Sequence, residues 1–319
     1  MKGLLFFPGA AWLCRRLYRL NDPRLEREVF GIRFSNPVGV AAGFDKEAGL
    51  YGALSCFGFG HVEVGTVTPL GQKGNPKPRL FRLPEDQALI NRMGFNNKGL
   101  KTFVRKLKRR NNKLIVGGNI GKNTQTPAEE AIADYCRCFE ALFELVDYFT
   151  VNVSCPNIAG LQALQDKEGL LELLNAIQRI NRQKPKRKPV LLKISPDLNH
   201  SQLDDVIGLV RKTGLDGIVA TNTSTRREGL TATPEKVKRI GKGGLSGRPL
   251  RDKSTHTIAY LHEKGKGQIP IVGVGGILTP KDALEKLAAG ASLVQVYTGF
   301  VYYGPSLAKN INAAILRNA

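Results

Sequence analysis

Metal ligands and disulfide partners are sparse in this chain. Its cysteines, Cys14, Cys56, Cys136, Cys138 and Cys155, are an odd set scattered over 319 residues. Cys136 and Cys138 are separated by one residue, where zinc knuckles and redox pairs have two. Such sparse usage points to a reducing compartment and not to a disulfide scaffold. The histidines, His61, His200, His256 and His262, lie far apart with no HxH or HxxxH spacing, so no metal site is expected. No apolar run reaches the roughly 18 residues of a membrane-crossing helix. Acidic residues are also short: 27 stand against 48 lysines and arginines, a formal net charge of +21. That imbalance suggests an anionic partner, which could be a small substrate, an acidic lipid surface or nucleic acid.

A hydrophobic share of 42% with 24% charged residues is ordinary for a folded chain and excludes disorder and collagen. The length suits one large domain or two modest ones. From residue 36 onward, short β-branched runs alternate with longer helical patterns. The runs cover residues 36–43, 61–68, 114–121, 147–154, 190–195, 217–223, 269–276 and 293–299. Segments such as 127–146 and 280–289 read as helices opened by proline. Eight apolar strands separated by helices predict an α/β fold, a (β/α)8 TIM barrel with a short N-terminal helical extension. The expected division is 1–35 for the extension and connector and 36–319 for the barrel. A six-stranded doubly wound sheet is the runner-up, but it would leave two strands without a place.

The extension begins with an apolar stretch after Lys2 that mimics a signal peptide, but Pro8 and Gly9 break it early. Beyond them Ala10, Leu13, Leu17 and Leu20 share one helical face, with Arg15, Arg16 and Arg19 to its side and Trp12 and Tyr18 suited to a headgroup boundary. Two readings stand: a helix packed on its own domain, or one that rests on a membrane or lines an entrance for an apolar ligand.

Each run ends at its carboxyl side in residues that a core would not choose. In order these are Asp45 and Lys46, Thr66, Asn119, Asn152 with Cys155, Lys193, Thr221 to Thr223, Gly275 and Gly276, and Tyr297 and Thr298. Active sites of this fold sit at that face. The glycines closing the seventh strand and the turn closing the eighth suit a phosphate, with 243–247 as a companion anion loop. The basic clusters 101–113, 182–188 and 226–242 lack the interleaved aromatics of a stacking surface, and the first two belong at the barrel's far end. They read as a solvated surface attractive to anions, and no nucleic acid is expected.

Eight motifs in order resemble the dihydroorotate dehydrogenase family, flavin enzymes that make orotate for pyrimidine synthesis. They are Asn36-Pro-Val-Gly-Val-Ala-Ala-Gly-Phe-Asp-Lys46, Gly65-Thr-Val-Thr-Pro69, Asn91-Arg-Met-Gly-Phe-Asn-Asn97 and Gly118-Asn-Ile-Gly-Lys-Asn123, then Asn152-Val-Ser-Cys-Pro-Asn157, Ala220-Thr-Asn-Thr223, Gly243-Gly-Leu-Ser-Gly-Arg-Pro-Leu250 and Gly273-Val-Gly-Gly-Ile277. The 92–97 stretch and the Arg-Pro-Leu loop resemble the quinone-dependent, membrane-associated class 2. The resemblance implies one non-covalent FMN per chain, held by Ala42, Gly43, Phe44, Asp45, Lys46, Thr66, Asn119, Asn152, Lys193 and Thr221. Gly247, Gly276, Tyr297 and Thr298 would take its phosphate. It implies dihydroorotate or orotate held by Lys46, Asn91, Arg92, Met93, Gly94, Phe95, Asn152, Asn157, Asn222 and Thr223. Lys193 would stabilise negative charge on the flavin ring, and Cys155 would be the catalytic base. It further implies a monomer bound peripherally at the cytoplasmic face of the cell membrane, in contact with anionic lipid and a membrane quinone.

The chain departs from class 2 in two places. Class 2 members resemble one another in a serine at the base position with a threonine three residues on, whereas this chain has Cys155 and Ile158, and cysteine is the class 1 choice. The segment before Asn36 has room for one helix and a connector, where class 2 carries a longer extension forming the quinone entrance. Two alternatives therefore stay open: a class 1-type acceptor, fumarate or NAD through a partner subunit, and a basic RNA- or membrane-binding barrel with a vestigial site.

Overall fold

A computed structural model describes residues 9–110, 114–153 and 167–318. Eight parallel strands close into a barrel: β1 (Val38–Asp45), β2 (His61–Val67), β3 (Ile115–Ile120), β4 (Tyr148–Asn152), β5 (Val190–Ile194), β6 (Gly217–Ala220), β7 (Ile271–Val274) and β8 (Leu293–Val296). Closure comes from pairing β8 with β1, which sets Val296 beside Val40. All eight expected strands are present, with edges moved by up to three residues. The expected helix at 280–289 is Pro280–Ala288, opened by a Thr279–Asp282 capping box with proline in its first turn. The helix expected over 127–146 is shorter, Ala131–Leu142, because residues 128–130 form a turn first. Beyond its far end the Lys188 ammonium donates to the carbonyls of Phe143 and Val146.

Strand alternation sorts the side chains into two cores. On β5, Val190, Leu192 and Ile194 face the surrounding helices, and Leu191 faces the bore. A hairpin of Arg27–Val29 and Ile32–Phe34, too short to register as strands in the sequence, plugs the bottom of the bore with Val29 and Phe34. Above the plug lie Tyr148, Leu191, Val219, Val272 and Leu293. At the opposite mouth a three-stranded antiparallel sheet joins Leu80–Leu83, Ala88–Asn91 and Gly244–Gly247. The 243–247 stretch is therefore largely a strand, and its end, Ser246 and Gly247, reaches the cleft. Glycine is required at 244, where a Cβ would lie 1.9 Å from Thr223 Oγ1.

The helix Ala10–Tyr18 settles on the barrel through Ala11, Cys14 and Tyr18, with the Tyr18 ring 5.5 Å from that of Phe57. Leu20 also packs on the core, but Leu13 and Leu17 do not: they are 50% and 49% exposed, with Trp12 at 59%. One face of the helix thus packs on its own domain, as the first reading expects, while Leu13 and Leu17 of the apolar stripe face outward.

His61 sits in the bore against Phe34, its ring filling the space left by Gly39, where a Cβ would lie 2.2 Å from Nε2. Neither ring nitrogen has a hydrogen-bond partner among the described residues, and complete burial pushes the imidazole pKa down to about 3. The unfolded chain protonates this group near 6.5, so the neutral form is bound up with folding. Stability should be full above about pH 6.5 and fall by about 1.4 kcal/mol per unit as pH drops towards 3. His61→Phe should remove one proton's worth of that slope in urea unfolding between about pH 6 and about pH 4. Equal slopes in the two proteins would refute the assignment.

Candidate functional site

The carboxyl ends of the strands surround a cleft of about 950 Å³, including its open mouth. Ala42 and Gly43 come from β1, with Lys46 just beyond it. Thr66 comes from β2, Asn152 from β4 and Lys193 from β5, while Thr221, Asn222 and Thr223 follow β6. Register explains why these meet: Asn152 pairs with Lys193, so both point inward at one height. The segment after the small sheet's middle strand adds Met93, Gly94 and Phe95, and the strand itself supplies Asn91.

At the other end of the cleft, backbone replaces side chains. Gly247 and Gly276 adopt φ of 100° and 72°, and any Cβ at 276 would lie 2.2 Å from Arg251 Cα. Tyr297 and Thr298 close this end, and the Thr298 hydroxyl lies 2.9 Å from that of Ser246. A bare backbone with two hydroxyls offers N–H and O–H donors to a phosphate. Lys46 and Lys193 are the charged residues of the wall, and no carboxylate lines it among the described residues. The cleft therefore favours anions. Burial raises the Tyr297 phenol, which stays neutral.

Beneath the floor, amides and hydroxyls bind one another. Asn152 Nδ2 donates to Thr66 Oγ1 at 3.1 Å and to Asn119 Oδ1 at 3.3 Å, and Thr66 Oγ1 also donates to Asn119 Oδ1. Asn222 Nδ2 donates to Asn152 Oδ1 at 3.2 Å. Asn119 Nδ2 donates to Oε1 of the fully buried Glu63 at 2.7 Å. Each amide uses donor and acceptor at once, which fixes its orientation.

Four expected site residues stand outside the cleft wall. Phe44 packs on the rings of Tyr297 and Phe300. The Asp45 carboxylate turns away to accept the backbone N–H groups of Gly49, Leu50 and Tyr51. Asn119 lies one layer below, holding its neighbours. Arg92 reaches the carbonyls of Ile240 and Lys242 and covers the Phe81 ring, so it braces the small sheet. Cys155 and Asn157 lie outside the described residues. Ser246 and Gln295 line the cleft without having been singled out. Gln295 had a signal, a polar residue two before Tyr297 on the inward face of β8. Among the described residues no group of three or more His, Cys, Asp or Glu could hold a metal.

Comparison with known proteins agrees with this geometry. The family profile described as "Dihydroorotate dehydrogenase" matches residues 24–318. The chain is 57% identical over 309 residues to the dihydroorotate dehydrogenase (quinone) of Christiangramia forsetii, covering 97% of this chain and 89% of that one. It is 50% identical to the protein of the same name from Thermosynechococcus vestitus, covering 95% and 84%. Among solved structures it resembles DHODH of Eimeria tenella in complex with ferulenol, with TM-score 0.88, 37% identity and coverage of 97% and 89%.

Gly276 and Gly304 share a φ of 72° but differ in the space around them. Gly304, with ψ of −159°, has nothing within 4 Å of a built Cβ, so Gly304→Ala should cost only backbone strain, about 1–3 kcal/mol. Gly276→Ala must also displace the Arg251 backbone and should cost about 1–3 kcal/mol more. Chemical denaturation of both variants checks this, and equal losses would refute the close contact.

Proposed function

This chain belongs to the dihydroorotate dehydrogenase family, and from that premise we propose how its residues divide the reaction. The protein oxidises dihydroorotate to orotate in pyrimidine biosynthesis and passes the electrons to a quinone. Relatives named for quinone, at 50–57% identity, favour that acceptor over fumarate or NAD, and an active enzyme over a vestigial barrel.

The flavin is FMN, held without a covalent link. The observation that carries this reading is the two-ended cleft: glycine backbone and hydroxyls at one end, lysine and amides at the other, and, among the described residues, no carboxylate between. When bound, FMN supplies an acceptor for the substrate's hydride and a carrier of electrons to the quinone. Gly247, Gly276, Tyr297 and Thr298 would hold its phosphate, and Lys193 would stand by the ring to stabilise negative charge. Lys46 would bind the carboxylate of dihydroorotate, and Asn91, Asn152, Asn222 and Thr223 would match the donors and acceptors of its ring edge.

Cys155 would remove the substrate's C5 proton. A thiol ionises with an unperturbed pKa of about 8.5, so it needs no relay to act near neutrality. A serine there would, and Ile158 offers none. Anaerobic flavin reduction by dihydroorotate should rise with pH through the thiol's ionisation. Cys155→Ala should abolish it and Cys155→Ser should leave a trace. A wild-type rate in Cys155→Ala would mean that another residue is the base.

Membrane association goes with quinone use, and among the described residues no helix is long and apolar enough to cross a membrane. The protein would act as a monomer, peripheral at the cytoplasmic face. The outward Trp12, Leu13 and Leu17 would meet lipid or quinone, and Arg15, Arg16 and Arg19 anionic headgroups. Deleting residues 1–21 should lower turnover with long-tailed quinones and leave anaerobic flavin reduction nearly intact. Equal losses in both would assign the helix a purely structural role.

A further inference from the structure

The bore holds a buried carboxylate that the reaction does not use. Glu63 points inward from β2 and is completely buried. Its Oε1 accepts from Asn119 Nδ2 on β3 at 2.7 Å, and its Oε2 accepts from Gln295 Nε2 on β8 at 3.1 Å. Both carboxylate oxygens accept here, so both amides turn their NH2 groups towards Glu63 and their carbonyls away. The two ends of an amide have nearly the same shape, so packing alone would leave this choice open.

The choice propagates along two branches. On the first, Asn119 Oδ1 accepts from Thr66 and Asn152, and Asn152 Oδ1 then accepts from Asn222, which lines the cleft. On the second, Gln295 Nε2 also lies 3.4 Å from the Tyr148 hydroxyl, so its NH2 group is fully engaged below the floor. Gln295 Oε1 is left buried with no partner among the described residues, on a side chain that lines the cleft. A buried carbonyl without a donor is costly, and a bound molecule presenting an N–H or O–H removes the cost.

We propose that Glu63 is a positioning residue that sets the polarity of the floor, so that the Gln295 carbonyl accepts a hydrogen bond from the bound flavin and the Asn119–Asn152–Asn222 relay faces the substrate in one sense. This rests on the flavin reading above. Glu63→Gln keeps the volume but gives the site one donor and one acceptor. The acceptor can still serve Asn119, and the new donor then faces the Gln295 NH2 group, which must turn over and present a donor to the flavin. Adding Gln295→Glu restores the arrangement: the donor at 63 meets a carboxylate at 295, whose other oxygen again faces the cleft.

The test measures flavin affinity by fluorescence quenching and the midpoint potential of the bound flavin, with thermal unfolding as a check on folding. Glu63→Gln should bind flavin about tenfold more weakly, the weight of one misdirected hydrogen bond, and its potential should shift. The double variant should recover both. A merely structural role would change unfolding and leave the potential where it was. Wild-type affinity and potential in Glu63→Gln, or a double variant no better than the single, would overturn the proposal. If Glu63→Gln does not fold, the double variant decides alone: wild-type flavin binding supports the proposal, and weak binding or failure to fold overturns it. Wild-type protein that binds no flavin would overturn the cofactor reading itself, and the proposal with it.

Discussion

Pairing Val40 with Val296 joins the first strand to the eighth and leaves the barrel without an edge. Every second residue then points into a bore from which water is largely excluded, and most of its contents satisfy one another. At the bottom they do so as hydrocarbon, with Phe34, Leu191 and Val272. Higher up they do so as a connected set of amides, hydroxyls and one carboxylate. The chemistry of the cleft is the upper surface of this packing. A lysine or asparagine there is held in orientation because the residue below it has no alternative partner.

The two ends of the cleft are built by different means. The phosphate-like end is made of backbone at positive φ, which only glycine adopts without strain, and of close approaches that a methyl group would forbid. The opposite end is made of side chains fixed by register, as where Asn152 stands beside Lys193. Such a division suits a ligand with a charged tail and a flat ring bearing donors and acceptors. Each end also fails differently. The first is sensitive to added volume, and the second to any change in who donates and who accepts.

Much of this was legible in the sequence because the barrel repeats one signal eight times: an apolar run closed by a polar or glycine-rich turn. The motif resemblance named the neighbourhood of the site but not the direction of each side chain. Asp45 and Arg92 sit in the right segments, yet one caps a turn and the other braces a sheet. The hairpin plug at 27–34 and the strand Gly244–Gly247 escaped notice because three or four residues, half of them glycine in the second case, show no alternation. Glu63 escaped because a polar residue inside a strand pattern looks the same facing solvent or facing a partner from a strand more than two hundred residues away.

The small sheet at the mouth has a consequence for the order in which the molecule is assembled. It joins Ala88–Asn91 to Gly244–Gly247, and barrel closure joins β1 to a strand that ends at Val296. Neither the wall nor the bore can exist while the carboxyl-terminal part of the chain is still being synthesised. Such distant pairings are slow to form, since loop closure must precede any gain from contact. The anion-attracting cleft therefore has no walls until the chain has been made through Val296. A ligand that needs both walls of the cleft can be held only once the eighth strand has closed the barrel.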